Sequence, residues 1–157
     1  MKPDKTRLWI FGIMTLAVMA LIFFMSAQDG NESGSLSEWL LNTAFGQRLI
    51  RILPRLTEYG EELDIRKYAH MAEYGLLAFP SVLFFLELLL ERRIRFPWRS
   101  AGASLAFCFL YACSDELHQI FVPGRVGAFT DVLVDLTGSG FIILIMLLIL
   151  MLRKESR

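Results

Sequence analysis

Four stretches of about 20 mostly apolar residues, each long enough to cross the hydrocarbon of a bilayer, dominate this chain of 157 residues. They run from about Leu8 to Ala27, Tyr68 to Leu90, Ala101 to Val122 and Phe129 to Leu152. Backbone at membrane depth must satisfy its polar groups internally, and helices do so. The expected fold is therefore all-α: a single domain over residues 1–157 built as a four-transmembrane-helix bundle. Hydrophobic residues make up 55% of the chain and its mean hydropathy is +0.48. Both are high for a soluble domain. A secretory signal is the rival reading of the first stretch. Its apolar run exceeds the roughly 7–15 residues of a signal core, and Met25-Ser26-Ala27 is a poor cleavage site.

Basic residues set the expected orientation, since cytoplasmic loops carry an excess of Lys and Arg. Lys2, Lys5 and Arg7 precede the first stretch. Arg92, Arg93, Arg95 and Arg99 fill the short connection between the second and third, and Arg153, Lys154 and Arg157 follow the fourth. In a four-span chain these three groups share one side, which places both termini in the cytoplasm. The long first loop mixes Arg48, Arg51, Arg55, Arg66 and Lys67 with seven carboxylates, and the last loop has Arg125 alone. Within the long loop, Asp29 to Ser35 is polar and turn-rich. From Leu36 to Leu56, apolar residues then recur at helical spacing while Arg48, Arg51 and Arg55 share another face. That pattern predicts an extra amphipathic helix in the first extracytoplasmic loop, either lying on the outer membrane surface or capping the bundle.

Several function classes lose their usual support. The net charge is zero, so nothing draws the chain toward nucleic acid. Cys108 and Cys113 fall inside an apolar run, five apart on a helix, and read as packed free thiols. The sequence has no CxxC, Walker loop, GxGxxG or HExxH.

Ionisable residues inside spans are costly, about 2.5–3.5 kcal/mol each on insertion scales, and mark function by default. Here they gather at one level. Ser26 and Gln28 close the first span, and His70 and Glu73 sit three apart near the start of the second. Asp115, Glu116, His118 and Gln119 end the third, Arg125 follows a Val-Pro-Gly turn signal, and Asp131 and Asp135 open the fourth one turn apart. A polar network that fixes helix pairing is the bland reading, but such glue usually employs Ser, Thr, Asn or Gln. Three chemistries suit the cluster. Histidines and carboxylates are ligands for a divalent metal, although the spacing matches no metal signature. A His–carboxylate pair can do general acid–base work. Arg125 and the histidines could meet an anionic head group. Of the rest, Pro80 is expected to kink the second span. Gly138 and Gly140 are expected to let a neighbouring helix approach the fourth.

The same residues carry a family resemblance. Arg66-Lys67-Tyr68-Ala69-His70-Met71-Ala72-Glu73-Tyr74 resembles the RKxxHxxEY block of VanZ-like membrane proteins. The run from Asp115 to Arg125 is similar to that family's DExHQxFxPGR block, and Phe24-Met25-Ser26-Ala27-Gln28 to the SxQ of its block close to the first span. Thr130 to Gly138 is similar to its DxxxNxxG block, with Asp135 where the family commonly has Asn. The resemblance implies a bacterial cytoplasmic-membrane protein that lowers sensitivity to teicoplanin, a lipoglycopeptide that carries an acyl chain and binds cell-wall precursors. On this reading His70, Glu73, Asp115, Glu116, His118 and Asp131 are the candidate catalytic residues. Ser26, Gln28, Lys67, Gln119, Arg125 and Asp135 are the candidate substrate-binding residues. The expected partners are membrane lipids and a lipid-linked cell-wall precursor or lipoglycopeptide. The alternative is a membrane-embedded hydrolase or transferase, metal-dependent or not, acting on a lipid-linked envelope substrate. Metal and cofactor stay open.

Overall fold

A computed structural model describes residues 4–29, 35, 38–55, 61–92 and 96–155, and all of its regular structure is helical. Among the described residues five helices have both ends placed, in order: α1 (Lys5–Ser26), α2 (Ala44–Ile52), α3 (Glu61–Glu91), α4 (Pro97–Gln119) and α5 (Phe129–Glu155). The starts of α1 and α4 have local causes. Asp4 caps α1, its Oδ1 accepting from the Thr6 N–H at 2.9 Å. Pro97 opens α4, where a missing N–H costs nothing.

Among the described residues three helices are long and apolar enough to cross a membrane: α1, the Ile65–Leu90 part of α3 and the Phe129–Leu152 part of α5. At 23 residues α4 matches them in length. Arg99 and Ser100 at its start and Asp115, Glu116, His118 and Gln119 at its end dilute its hydropathy. Composition thus supports three of the four expected spans plainly. The boundaries shift as well. α3 starts seven residues before the expected Tyr68, because polar residues extend the helix beyond its apolar part. α4 ends at Gln119 rather than Val122.

α3 is the hub, packing on α1, α4 and most extensively on α5. α4 also lies along α5, whereas α1 and α5 share no comparable interface among the described residues. Of the most apolar stretch of each helix, 56% of residues are buried in α3 and only 11% in α1. The core joins Ile22 of α1, Tyr74, Leu77, Ala78 and Val82 of α3, Ala101, Cys108 and Ala112 of α4, and Val132 and Ile143 of α5. Small residues recur where α3 meets its neighbours, as expected when helices associate by close packing. Ser81 and Ser104 are hydrogen-bonded across α3 and α4. Gly138 touches the Met71 backbone so closely that a Cβ would overlap the Met71 carbonyl, and a Cβ on the facing Gly75 would lie 3.3 Å from Ile142 Cγ1. The expected close approach therefore holds at Gly138. It fails at Gly140, where a Cβ would meet nothing within 4 Å. Pro80 is buried inside α3 without ending it. Both cysteines are free thiols within α4.

The first loop departs from the single helix expected over Leu36–Leu56, whose two end residues lie outside the described residues. Residues 38–41 are helical, the chain breaks at 42–43, and α2 covers only 44–52. The break has a cause. Thr43 Oγ1 accepts from the Gly46 N–H at 3.0 Å, an N-cap that starts a new helix. Trp39, Phe45 and Ile52 are exposed. The loop is tied back to α3 by Tyr68, whose hydroxyl donates to the Pro54 carbonyl at 2.5 Å.

Candidate functional site

The C-terminal ends of α1 and α4 and the N-terminal ends of α3 and α5 meet at one end of the bundle. A tight turn organises that end. Arg125 N–H donates to the Val122 carbonyl at 3.2 Å, with Pro123 and then Gly124 between them, Gly124 at φ 73°. Proline followed by a left-handed glycine is the pattern of a type II turn. The turn sends Arg125 back toward α1. There its Nε donates to the Gln28 carbonyl at 2.9 Å and its Nη2 to the Met25 carbonyl at 3.1 Å. These are carbonyls at and just beyond the end of α1, where helix carbonyls lack partners of their own.

Two polar groupings stand beside this turn. The first joins α1 to α4. Asp115 Oδ2 accepts from Ser26 Oγ at 2.8 Å and from Gln119 Nε2 at 3.1 Å, and Gln119 Nε2 also lies 3.2 Å from Ser26 Oγ and 3.4 Å from Glu116 Oε1. Ser26, Asp115, Glu116 and Gln119 are all buried. Glu116 Oε2 accepts from the Ala128 N–H at 2.8 Å, fixing the loop that leads into α5. The second joins α3 to α5. Lys67 Nζ donates to Asp131 Oδ1 at 2.8 Å, and His70 Nδ1 lies 3.9 Å from Asp135 Oδ1. The Gly138–Met71 approach explains this second pairing. His70 adjoins Met71 and Asp135 lies three residues before Gly138, so the two backbones are still near enough for these side chains to face each other.

A narrow cleft runs between the groupings, lined by Arg66, Lys67, His70, Gln119, Asp131, Val134 and Asp135. Gln119 belongs to both sides and joins them. The expected residues thus gather at one end, yet they do not line one pocket. His70, Asp131, Asp135, Lys67 and Gln119 line the cleft, while Asp115 and Ser26 stand one hydrogen bond behind Gln119. Gln28 takes part through its backbone carbonyl. His118 stacks on Phe23 of α1, ring centroids 4.8 Å apart, with Nε2 buried and without a hydrogen-bond partner among the described residues. Glu73 Oε2 is likewise buried without a hydrogen-bond partner among the described residues. Among the described residues no three His, Cys, Asp or Glu side chains stand close enough to hold a metal ion.

Charge at this end is only partly compensated. Arg125 Nη1 and both Asp135 oxygens are buried without hydrogen-bond partners among the described residues. Burial lowers the Arg125 pKa most, and repulsion from Arg66 adds to it, while Asp115, Glu73 and Glu116 oppose. Arg66 and Tyr74 open and close the RKxxHxxEY block but are not among the candidate site residues read from the sequence. Arg66 carries a readable signal, a cation beside Lys67 at the mouth of an apolar helix. Tyr74 carries only its place at the end of that block. Its buried hydroxyl lacks a hydrogen-bond partner among the described residues.

Long apolar helices closed by a buried ionisable network at one end define a helical membrane protein with a polar end-site. The VanZ/LLP1 family model matches residues 11–151, a range that holds every site residue named above, and the chain belongs to that family. No curated protein and no solved structure matches it.

Proposed function

We propose that this VanZ/LLP1 protein spans the bacterial cytoplasmic membrane four times with both termini inside, and lowers sensitivity to teicoplanin-type lipoglycopeptides. It does so by binding an amphiphile at the polar end of the bundle, which faces outward. α4 is the fourth span, its polar ends meeting the two interfaces. α2, with its exposed apolar residues, rests on the outer surface. The observation that carries the reading is the buried network at that end, which draws polar groups from α1, α3, α4 and α5 and leaves Arg125 Nη1 and both Asp135 oxygens without hydrogen-bond partners among the described residues. A network serving only as helix glue would leave fewer such groups unsatisfied. The hydrolase or transferase reading gains no specific support from the geometry.

Two measurements test this. Expression in a teicoplanin-sensitive bacterium is expected to raise the inhibitory concentration of teicoplanin and leave that of a glycopeptide without an acyl chain unchanged. No rise for teicoplanin would refute the assigned role. Orientation is tested by cysteine accessibility. Glu38→Cys is expected to react with an impermeant thiol reagent on whole cells and Arg92→Cys only after lysis, each scored against the wild-type chain. Both positions are exposed in the structure, so the reverse pattern would turn the site inward.

A further inference from the structure

α2 leaves two adjoining faces bare, one apolar and one cationic. Its nine residues are too few to cross a bilayer, so a bare apolar side chain on it is not the lipid face of a span. Phe45 and Ile52, seven residues apart and therefore on one face of the helix, are 66% and 80% exposed. Arg48 comes three residues after Phe45 and four before Ile52, which puts it beside that apolar ridge, and Arg51 follows on the same flank. Both arginines are exposed, and neither has an ion-pair partner among the described residues. Gly46, on the other flank of the ridge, marks the side that faces protein. It is buried, and a Cβ there would overlap the Leu40 carbonyl oxygen. Around the helix the order is thus protein contact, apolar ridge, cationic flank. Trp39, on the short helical stretch that Gly46 meets, is exposed as well. α2 carries no carboxylate. Glu38 is the one acidic residue of the described segment 38–55, against Arg48, Arg51 and Arg55.

A helix lying flat on a bilayer with this order sinks its ridge among the acyl chains and holds the adjoining arginines at the depth of the phosphates. Apolar area alone would suit any lipid. The uncompensated positive flank favours a surface of net negative charge, by about fivefold for each basic residue near it. From this charge complementarity we infer that α2 is a docking surface for anionic phospholipid head groups. Arg48 and Arg51 meet the phosphates, and Phe45, Ile52 and Trp39 enter the apolar layer beneath. Docking also bears on the cleft. Pro54, two residues past α2, accepts from the Tyr68 hydroxyl, and Tyr68 adjoins the cleft residue Lys67. A docked α2 thereby ties the start of α3 to the head-group layer. The inference rests on the reading of α2 as a surface helix and adds the chemistry of the lipid that holds it.

The test follows hydrogen exchange of the α2 amides by mass spectrometry in the full chain. The protein is reconstituted in nanodiscs of phosphatidylcholine, alone or mixed with phosphatidylglycerol of identical acyl chains. Both faces of a nanodisc carry the same lipid, so the result does not depend on which way the chain is inserted. Exchange over residues 44–52 is expected to be at least about fivefold slower with phosphatidylglycerol present, and the difference to shrink in high salt, which screens surface charge. Arg48→Gln with Arg51→Gln removes the charge from two exposed positions and keeps good helix formers there. That variant is expected to exchange alike in both bilayers. Phe45→Gln with Ile52→Gln removes the ridge and is expected to exchange fast in both. Equal exchange of the wild-type chain in the two bilayers would overturn the inference. So would slowing by phosphatidylglycerol that survives the loss of both arginines, or wild-type behaviour without the ridge. Equal slowing by soluble polyphosphate over phosphatidylcholine nanodiscs would overturn it too, by making the partner a polyanion in solution. Each of these outcomes leaves the amphiphile reading of the bundle end standing. That reading falls on teicoplanin protection, which the nanodisc measurement does not touch.

Discussion

Alanine at Gly138 is expected to sharply lower the amount of folded protein in the membrane. The added methyl would overlap the carbonyl oxygen of Met71. That obstacle is backbone inside a helix, so no side-chain rotation relieves it. α3 and α5 would have to separate along their most extensive interface, the one that buries Val132 and Ile143. Overpacking a core typically costs about 1–3 kcal/mol, more where backbone must move. A domain has only about 5–15 kcal/mol of stability to lose. The separation would also draw His70 away from Asp135, so surviving molecules are expected to lack function. Gly140→Ala, two residues along the same helix with nothing within 4 Å of the new Cβ, is the matched comparison and is expected to behave as wild type. Thermal unfolding in detergent and membrane abundance read both variants. Equal stability of Gly138→Ala and Gly140→Ala would mean that the α3–α5 crossing is not as close as described.

Asp115→Ala is the second change with a large expected effect. The carboxylate accepts from Ser26 and Gln119 at once, and through them it connects α1 to α4. Truncation leaves the buried Ser26 hydroxyl without its acceptor and takes one of three acceptors from Gln119 Nε2. An orphaned buried group costs about 1–3 kcal/mol, and α1 has little other burial to hold it in place. The unfolding temperature in detergent is expected to fall by several degrees and α1 to become sensitive to protease near its C-terminal end. Asp115→Asn keeps an oxygen acceptor at the same place and is expected to lose far less stability. If Asp115→Ala unfolds like wild type, the hydrogen bonds at this end do not hold α1.

Much of this was legible in the chain because apolar length and turn chemistry are local properties. The stretches ending near Ala27 and beginning at Phe129 become α1 and α5 almost residue for residue. Pro123-Gly124 does form the turn that its composition promised. Hydropathy could not find the first turns of α3, because Glu61, Glu62, Asp64, Arg66 and Lys67 are helical without being apolar. Nor could periodicity find the break before α2, which depends on one hydroxyl, that of Thr43, reaching a backbone N–H three residues on. The gathering of the polar residues at one end follows from topology alone. Their division into an Asp115 side and an Asp135 side does not. It depends on which helices are neighbours, with α3 central and α1 and α5 apart, and one sequence does not state neighbours. The two glycines of α5 make the same point. Gly138 and Gly140 look alike in sequence, and only the rotation of the helix decides which one meets Met71.

The central claim is that the polar end of the bundle is the working part of the molecule. Teicoplanin protection measured per folded molecule in the membrane tests it most directly, in cells expressing the wild-type chain, His70→Ala, Asp115→Asn or Leu144→Ala. Leu144 is 54% exposed on the apolar half of α5, far in sequence from the network. The two site variants are expected to accumulate near wild-type abundance and give no protection, while Leu144→Ala protects in proportion to its amount. Full protection by both His70→Ala and Asp115→Asn at normal abundance would contradict the account. A loss of protection that only follows a loss of protein would reduce the network to helix glue.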